Sequence, residues 1–478
     1  MSVISKKSIN TSFSFREFWS DLRESIRGTE KDFTKIPLRK AIILLSIPMV
    51  LEMVMESVFA LVDIFFVSRL GAQEVAVVGI TESLMTLIYA IGIGLSVGTT
   101  ALVSRRIGEK NPKGAAVSAV QAIFAAMIAS VFFSVIGIIY AKDLLRLMGA
   151  TPETVEMGFH YPMIMLGGNV VIMLLFVINA VFRSSGDAAI SMRVLWLANI
   201  LNIILDPLLI FGIGPFPELG VKGAAIATNI GRGVAVVYQI YLLLKGNHRI
   251  KVAVSDLKLR FSLIWKVVKL SAGAIGQNII SHSSWIFLVW VVTSLGEDAV
   301  AGYTIAIRLI IFILLPCWGM ANAAATLVGQ NLGADQPQRA ERSAWIVGGV
   351  NMILLGLGSI VFISVPQIFI GFFIDPAQDP LVFQAGVDCL RVISFGFIFY
   401  ALGMVLIQSI NGAGDTKTPI WLNIIAFWMT EIPLAYLFTH VADMGVKGVG
   451  YAIIASETLL TILALIIFWR GKWKKVKV

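Results

Sequence analysis

AIILLSIPMVLEMVMESVFALVDIFFVSRLG, residues 41–71, is mostly apolar. At about 1.5 Å per residue, its roughly 30 residues cross a bilayer core of about 30 Å as one helix. Yet it carries three acids, Glu52, Glu56 and Asp63. An acid inside such a segment costs at least roughly 2.5–3.5 kcal/mol. At about 100° per residue the three project from nearly the same side. That side must look at protein or water rather than lipid.

The rest of the chain has the same character. Hydrophobic residues make up 57% of the 478 and charged residues 14%, where a soluble domain carries about 25% charge. With a mean hydropathy of +0.86, this is an integral membrane protein. Twelve spanning segments are predicted, the second over 77–103 and the tenth over 381–412. The net charge of +9 is no sign of nucleic-acid binding. The basic residues cluster between apolar segments, as the positive-inside rule expects. The N-terminal arm, the loop SRRIGEKNPKG at Ser104, the linker after Lys245 and the tail RGKWKKVKV at Arg470 are all basic. With twelve spans they share one side, which places both termini in the cytoplasm and the chain in the cell's inner (plasma) membrane. Cys317 and Cys389 lie in apolar runs with neither disulfide nor metal-ligand spacing, and read as buried bystanders.

An internal repeat organises these spans. RLGAQEVAVVGI at Arg69 pairs with SLGEDAVAGYTI at Ser294. GLSVGTTALVSRRIG at Gly94 pairs with GMANAAATLVGQNLG at Gly319, and LGVKGAA at Leu219 with MGVKGVG at Met444. Ordered matches at one offset, about 225 residues, define two six-helix lobes of one topology with a cavity between them. The predicted organisation is a cytosolic arm (1–38), an N-lobe (39–244), a linker (245–260), a C-lobe (261–470) and a basic cytosolic tail (471–478).

The repeat also shows where the lobes differ. At that offset Glu52, Glu56 and Asp63 face Gln277, Ser281 and Leu288, so the second lobe has lost all three acids. Asp63 then reads as a protonatable or cation-binding group in the outer half of the membrane; the plainer alternative is a helix-end hydrogen bond. The fifth span, ANILNIILDPLLIFG, supplies partners at similar depth. Asn202 and Asp206, four apart, share a face. Asn179 on the fourth span and Thr228 on the sixth add oxygens. Two carboxylates with amide oxygens suit Na⁺, held by Asp63, Asn202 and Asp206, and equally a proton shared between buried acids. Glu52, Glu56, Gln277, Met53 and Phe59 are candidates for the cavity lining. Asp187 and Asp415 read as turn and cap residues, Arg308 and Arg391 as snorkelling side chains. The roles of His282, of Glu431 (the C-lobe residue opposite Asp206) and of the two glutamates are left open. There is no nucleophile–base pair, no HExxH and no metal cluster, so the chain does not read as an enzyme, and no cofactor is expected beyond the coupling ion, H⁺ or Na⁺.

The twelve spans in two lobes, the IP…VD.FFVSRLG helix and the paired GVKG and GD turns resemble the multidrug and toxic compound extrusion (MATE) transporters over about residues 36–470. The resemblance implies a cation-coupled antiporter, taken here as a monomer among membrane lipids, that exports organic cations and amphipathic compounds by alternating access. It assigns Asp63, Asn179, Asn202, Asp206 and, more loosely, Thr228 to the N-lobe cation site, and Pro48 to a helix bend. The seventh span has Gln277 where one branch carries a carboxylate, and the tenth has no acid. The sequence is therefore closer to the DinF-like branch, with C-lobe coupling in doubt. The alternative within the superfamily, a lipid-linked oligosaccharide flippase, calls for a basic cavity, whereas the cavity-side charges placed from sequence are negative.

Overall fold

The computed structural model describes residues 15–29, 31–67, 69–245 and 248–478. An amphipathic helix, α1 (Phe15–Arg27), precedes the first span (Leu38–Val67). Lys40 of that span pairs with Asp21 and Glu24 at 2.7 and 2.8 Å and ties α1 down. The following spans are Gln73–Gly108, Pro112–Leu147, His160–Ser185, Ala188–Ile210 and Val221–Lys245, then Phe261–Thr293, Glu297–Gly333 and Pro337–Ser364. The tenth is a pair, Pro380–Ser394 and Phe397–Gly412, bent by 56°. Thr418–Val441 and Val446–Arg470 complete twelve. Helices are forced by the solvent, since hydrocarbon offers no partner to an unpaired N–H or C=O.

The second span runs well past the predicted 77–103. Its ends carry the polar residues Glu74, Arg105 and Arg106, and the helix continues until Lys110 turns left-handed at φ 58°. The first span stays one helix through Pro48, so the expected bend does not interrupt it in this state. The eleventh differs from its N-lobe counterpart. It is π-helical over Ile424–Glu431 and again over Leu437–Val441, while the fifth is α-helical throughout.

Small residues bring the two halves together at one end. A Cβ on Gly94 would lie 2.3 Å from Ile275 Cγ1, and one on Gly98 2.3 Å from Ser271 Oγ. At Gly108 it would meet the Gln330 carbonyl oxygen at 2.0 Å, and at Gly319 that of Met49 at 2.5 Å. These contacts join the second and first spans to the seventh and eighth, toward the end bearing both termini. Cross-lobe hydrogen bonds sit at the same end. Gln330 Nε2 donates to Ser184 O at 2.8 Å, Arg339 reaches Phe33 O and Ile36 O, and Arg105 reaches Val476 O. Toward the far end the first span exposes Val54, Val58, Leu61 and Phe65. The named cross-lobe contacts are thus gathered at the terminal end.

Glycine here is a requirement of close approach. Gly108→Ala should lower the unfolding midpoint of the purified protein by the equivalent of about 1–3 kcal/mol, the usual cost of overpacking. Gly349, whose Cβ would meet nothing within 4 Å, should accept alanine without loss. Equal losses at the two positions would contradict the seam.

Candidate functional site

The three acids of the first span share a helical face but not a depth. Glu52 and Asp63 are separated by about 16 Å along the axis at about 1.5 Å per residue, and each level has its own partners.

The innermost level is an ion pair. Glu52 is 1% exposed and accepts from Arg183 Nη1 of the fourth span at 2.6 Å. Arg183 also donates to Ser96 Oγ at 3.2 Å. Asn179 donates to Glu52 at 3.4 Å and accepts from Gln239 Nε2 at 2.6 Å. Glu52 is therefore a buried member of a packed network and not part of the cavity lining. Asn179 belongs to this network too, and not to the Asp206 group with which the sequence associated it. It sits one turn from Arg183, and its amide gives Glu52 Oε1 a second donor, while Glu52 Oε2 has no hydrogen-bond partner among the described residues.

The middle level is Glu56. Asn199 Nδ2 donates to it at 3.1 Å, and Arg232 Nη2 of the sixth span lies 3.6 Å away. Phe59 is buried, with the Arg232 guanidinium 5.7 Å from its ring centroid, so it backs a charge rather than lining open space. Met53 is half-buried.

The outer level brings three of the expected residues together. Asp206, Asn202 and Thr228 are 0, 2 and 6% exposed. With its amide oriented to satisfy both neighbours, Asn202 donates to Asp206 Oδ2 at 2.8 Å. Its oxygen accepts from the Thr228 N–H and hydroxyl, both at 3.0 Å. Asp63 is half-exposed and accepts no hydrogen bond from a described residue. It lies within electrostatic range of Arg232, Asp206 and Glu82. Glu82 is solvent-accessible yet feels Asp63, Glu56 and Arg232. Tyr89 and Tyr161 close the group. Carboxylates outnumber the guanidinium in this group.

Sequence reasoning missed Arg183, Arg232, Glu82 and both tyrosines. The missing signal was in the repeat. Arg232 falls opposite Glu457 at the offset that pairs Asp206 with Glu431, a reversal of charge in register. Gln277 exchanges hydrogen bonds with Asn411 at 3.1 Å on the wall of a C-lobe cavity. His282 turns Nδ1 to Asn278 O at 2.8 Å. Asp415 caps the eleventh span through the N–H and hydroxyl of Thr418, at 3.1 and 2.6 Å. Cys317 and Cys389 are free and buried.

Two six-span halves joined along a seam of small residues, with acids buried inside the spans, fit a multi-pass membrane transporter. Comparisons agree. The MatE family model matches residues 48–208 and 274–437. The FAD transporter of Shewanella oneidensis is 30% identical over 435 residues, covering 89% of this chain and 93% of that protein. The probable multidrug resistance protein NorM of Thermotoga maritima is 25% identical over 448 residues, covering 92% and 94%. A solved structure described as the outward-facing conformation of a multidrug resistance MATE family transporter superposes with a TM-score of 0.86 at 25% identity, covering 93% of this chain and 98% of that one. A MOP superfamily transporter from Pyrococcus furiosus also gives 0.86 at 25% identity, covering 95% and 98%. The chain belongs to the MATE family of transporters.

The Glu52–Arg183 pair generates a direct test. Arg183→Gln leaves a buried carboxylate uncompensated and should cost about 3–5 kcal/mol, while Glu52→Gln with Arg183→Gln should recover most of it. Unfolding midpoints of the three variants measure this. A single variant as stable as the parent would contradict the pairing.

Proposed function

We propose that the protein is a cation-coupled efflux antiporter for amphipathic and cationic small molecules, with both termini in the cytoplasm. The observation that carries this reading is Asp63, half-buried and without a hydrogen bond from a described residue, within electrostatic range of the satisfied group Asp206–Asn202–Thr228. An acid placed where water reaches it, next to a second buried acid, can take up a cation in one state and lose it in another. A cation and a drug that favour different states exchange by linkage, to the extent of their difference in affinity between the states. The names of the relatives point the same way for drugs.

The donor set favours H⁺ over Na⁺. Asn202 presents its NH₂ to Asp206, and its oxygen is already engaged by Thr228. A sodium ion needs oxygens, so it would require this amide to turn over. A proton needs no such rearrangement.

Two alternatives concern cargo of opposite charge. A lipid-linked oligosaccharide carries pyrophosphate, and the relative from Shewanella is named for FAD. Arg183 and Arg232 would be the groups to meet an anion, but each already faces a glutamate. Carboxylates outnumber the guanidinium in the outer group, so anionic cargo has less support.

Counterflow of tetraphenylphosphonium in proteoliposomes decides between them. A pH gradient imposed alone should drive it, a sodium gradient alone should not, excess FAD should not compete, and Asp206→Asn should abolish the drive. Sodium-driven counterflow would overturn the choice of ion. Competition by FAD with no response to either gradient would overturn the antiporter reading.

A further inference from the structure

The C-lobe contains a cavity of about 400 Å³ between the seventh, eighth, tenth, eleventh and twelfth spans. Its wall is mostly aliphatic and also carries the aromatic residues Trp285, Tyr303, Trp318, Phe397, Tyr400 and Phe427. Two carboxylates, Glu431 and Glu457, also line it. Glu431 is satisfied on both oxygens. Ser284 donates to Oε2, and Ser456 donates to Oε1 at 3.1 Å. Glu457 is 8% exposed, lies within electrostatic range of Glu431, and has neither an ion pair nor a hydrogen bond to a described residue.

The lining holds no lysine or arginine. Its one imidazole, His282, is turned to the Asn278 carbonyl; its phenols, Tyr303 and Tyr400, carry no positive charge. The N-lobe answers its own acids at this register with Arg232, which pairs with Glu56. The C-lobe has Glu457 in that place. A buried carboxylate is retained only when it is paired or neutralised, and with no lysine or arginine in the lining Glu457 can be answered only by a proton or by a cationic ligand. The cavity is within the size range of small-molecule pockets, about 300–1,000 Å³, and far larger than a bare ion requires. Aromatic faces stabilise a lipophilic cation. The π-helical turn ends at Glu431, and such distortions recur at functional sites.

We propose that this cavity is the binding pocket for a lipophilic organic monocation, with Glu457 as its counter-ion and Glu431 held beside it by two serines. The proposal rests on the efflux reading and says where in that cycle the drug sits. Coupling ion and drug then occupy different lobes, and their exchange runs through the conformational equilibrium rather than through competition for one carboxylate.

The test is equilibrium binding of tetraphenylphosphonium to the purified full-length protein, with neutral triphenylphosphine oxide as the uncharged control. Glu457→Gln should weaken tetraphenylphosphonium about tenfold or more and leave the neutral probe unchanged. Glu457→Asp should restore part of the loss. Unfolding midpoints confirm that each variant is folded; if Glu457→Gln is not, the aspartate variant and Glu431→Gln carry the comparison. Parental affinity in folded Glu457→Gln, or equal losses for both probes, would each overturn the site. If counterflow still depends on Asp206 while Glu457→Gln binds normally, the pocket is wrong and the antiporter reading stands.

Discussion

A charge in the membrane interior has to be answered by another charge, by hydrogen bonds or by water, and the arrangement of this molecule follows from how each acid is answered. Glu52 is answered by Arg183, and the pair locks the first span to the fourth. Glu56 is answered by Asn199 and Arg232, which bind the first span to the fifth and sixth. Asp206 is answered by Asn202. Asp63 accepts no hydrogen bond from a described residue and has only the longer-range field of Arg232. The first span thus changes from a structural strut at its terminal end to a titratable surface at the other, one face serving both purposes at different depths.

The two lobes solve the same topological problem with opposite charge at one register. Arg232 makes the N-lobe a mixed network in which a single carboxylate stays open. Glu457 makes the C-lobe an acid pair without a resident cation. Such a division suits an antiporter, since two ligands that never share a site are coupled only through the state of the protein. The glycine seam fits the same scheme. Backbones in contact at Gly108, Gly319 and Gly333 leave no room for gradual adjustment, so the terminal end is either zipped or open.

Much of this was legible in the sequence because the bilayer restricts the alternatives. Twelve apolar stretches, a repeat at one offset and basic loops on one side leave few arrangements. The triad Asp206, Asn202 and Thr228 was readable because i, i+4 spacing on one helix and depth on the next can both be counted. Depth was the weak point elsewhere. Helical phase places Glu52, Glu56 and Asp63 together, and only the packed structure shows that Arg183 takes the first and Arg232 the second. Asn179 was misplaced for the same reason, since a fourth-span amide can face any level until the helix is docked. Glu82 and Glu457 were passed over because they lie in spans whose other residues are ordinary, and the partner that marks a polar residue as functional comes from a distant part of the chain.

The central claim is that the open carboxylate of the first span couples ion entry to drug exit. Asp63→Asn tests it most directly, since amide and carboxylate have nearly the same shape and differ in charge and in the capacity to take up a proton. Cells producing the variant should hold it in the membrane at parental abundance and the purified variant should still bind tetraphenylphosphonium, while drug resistance and gradient-driven export are lost. Parental resistance in cells carrying Asp63→Asn would contradict the account.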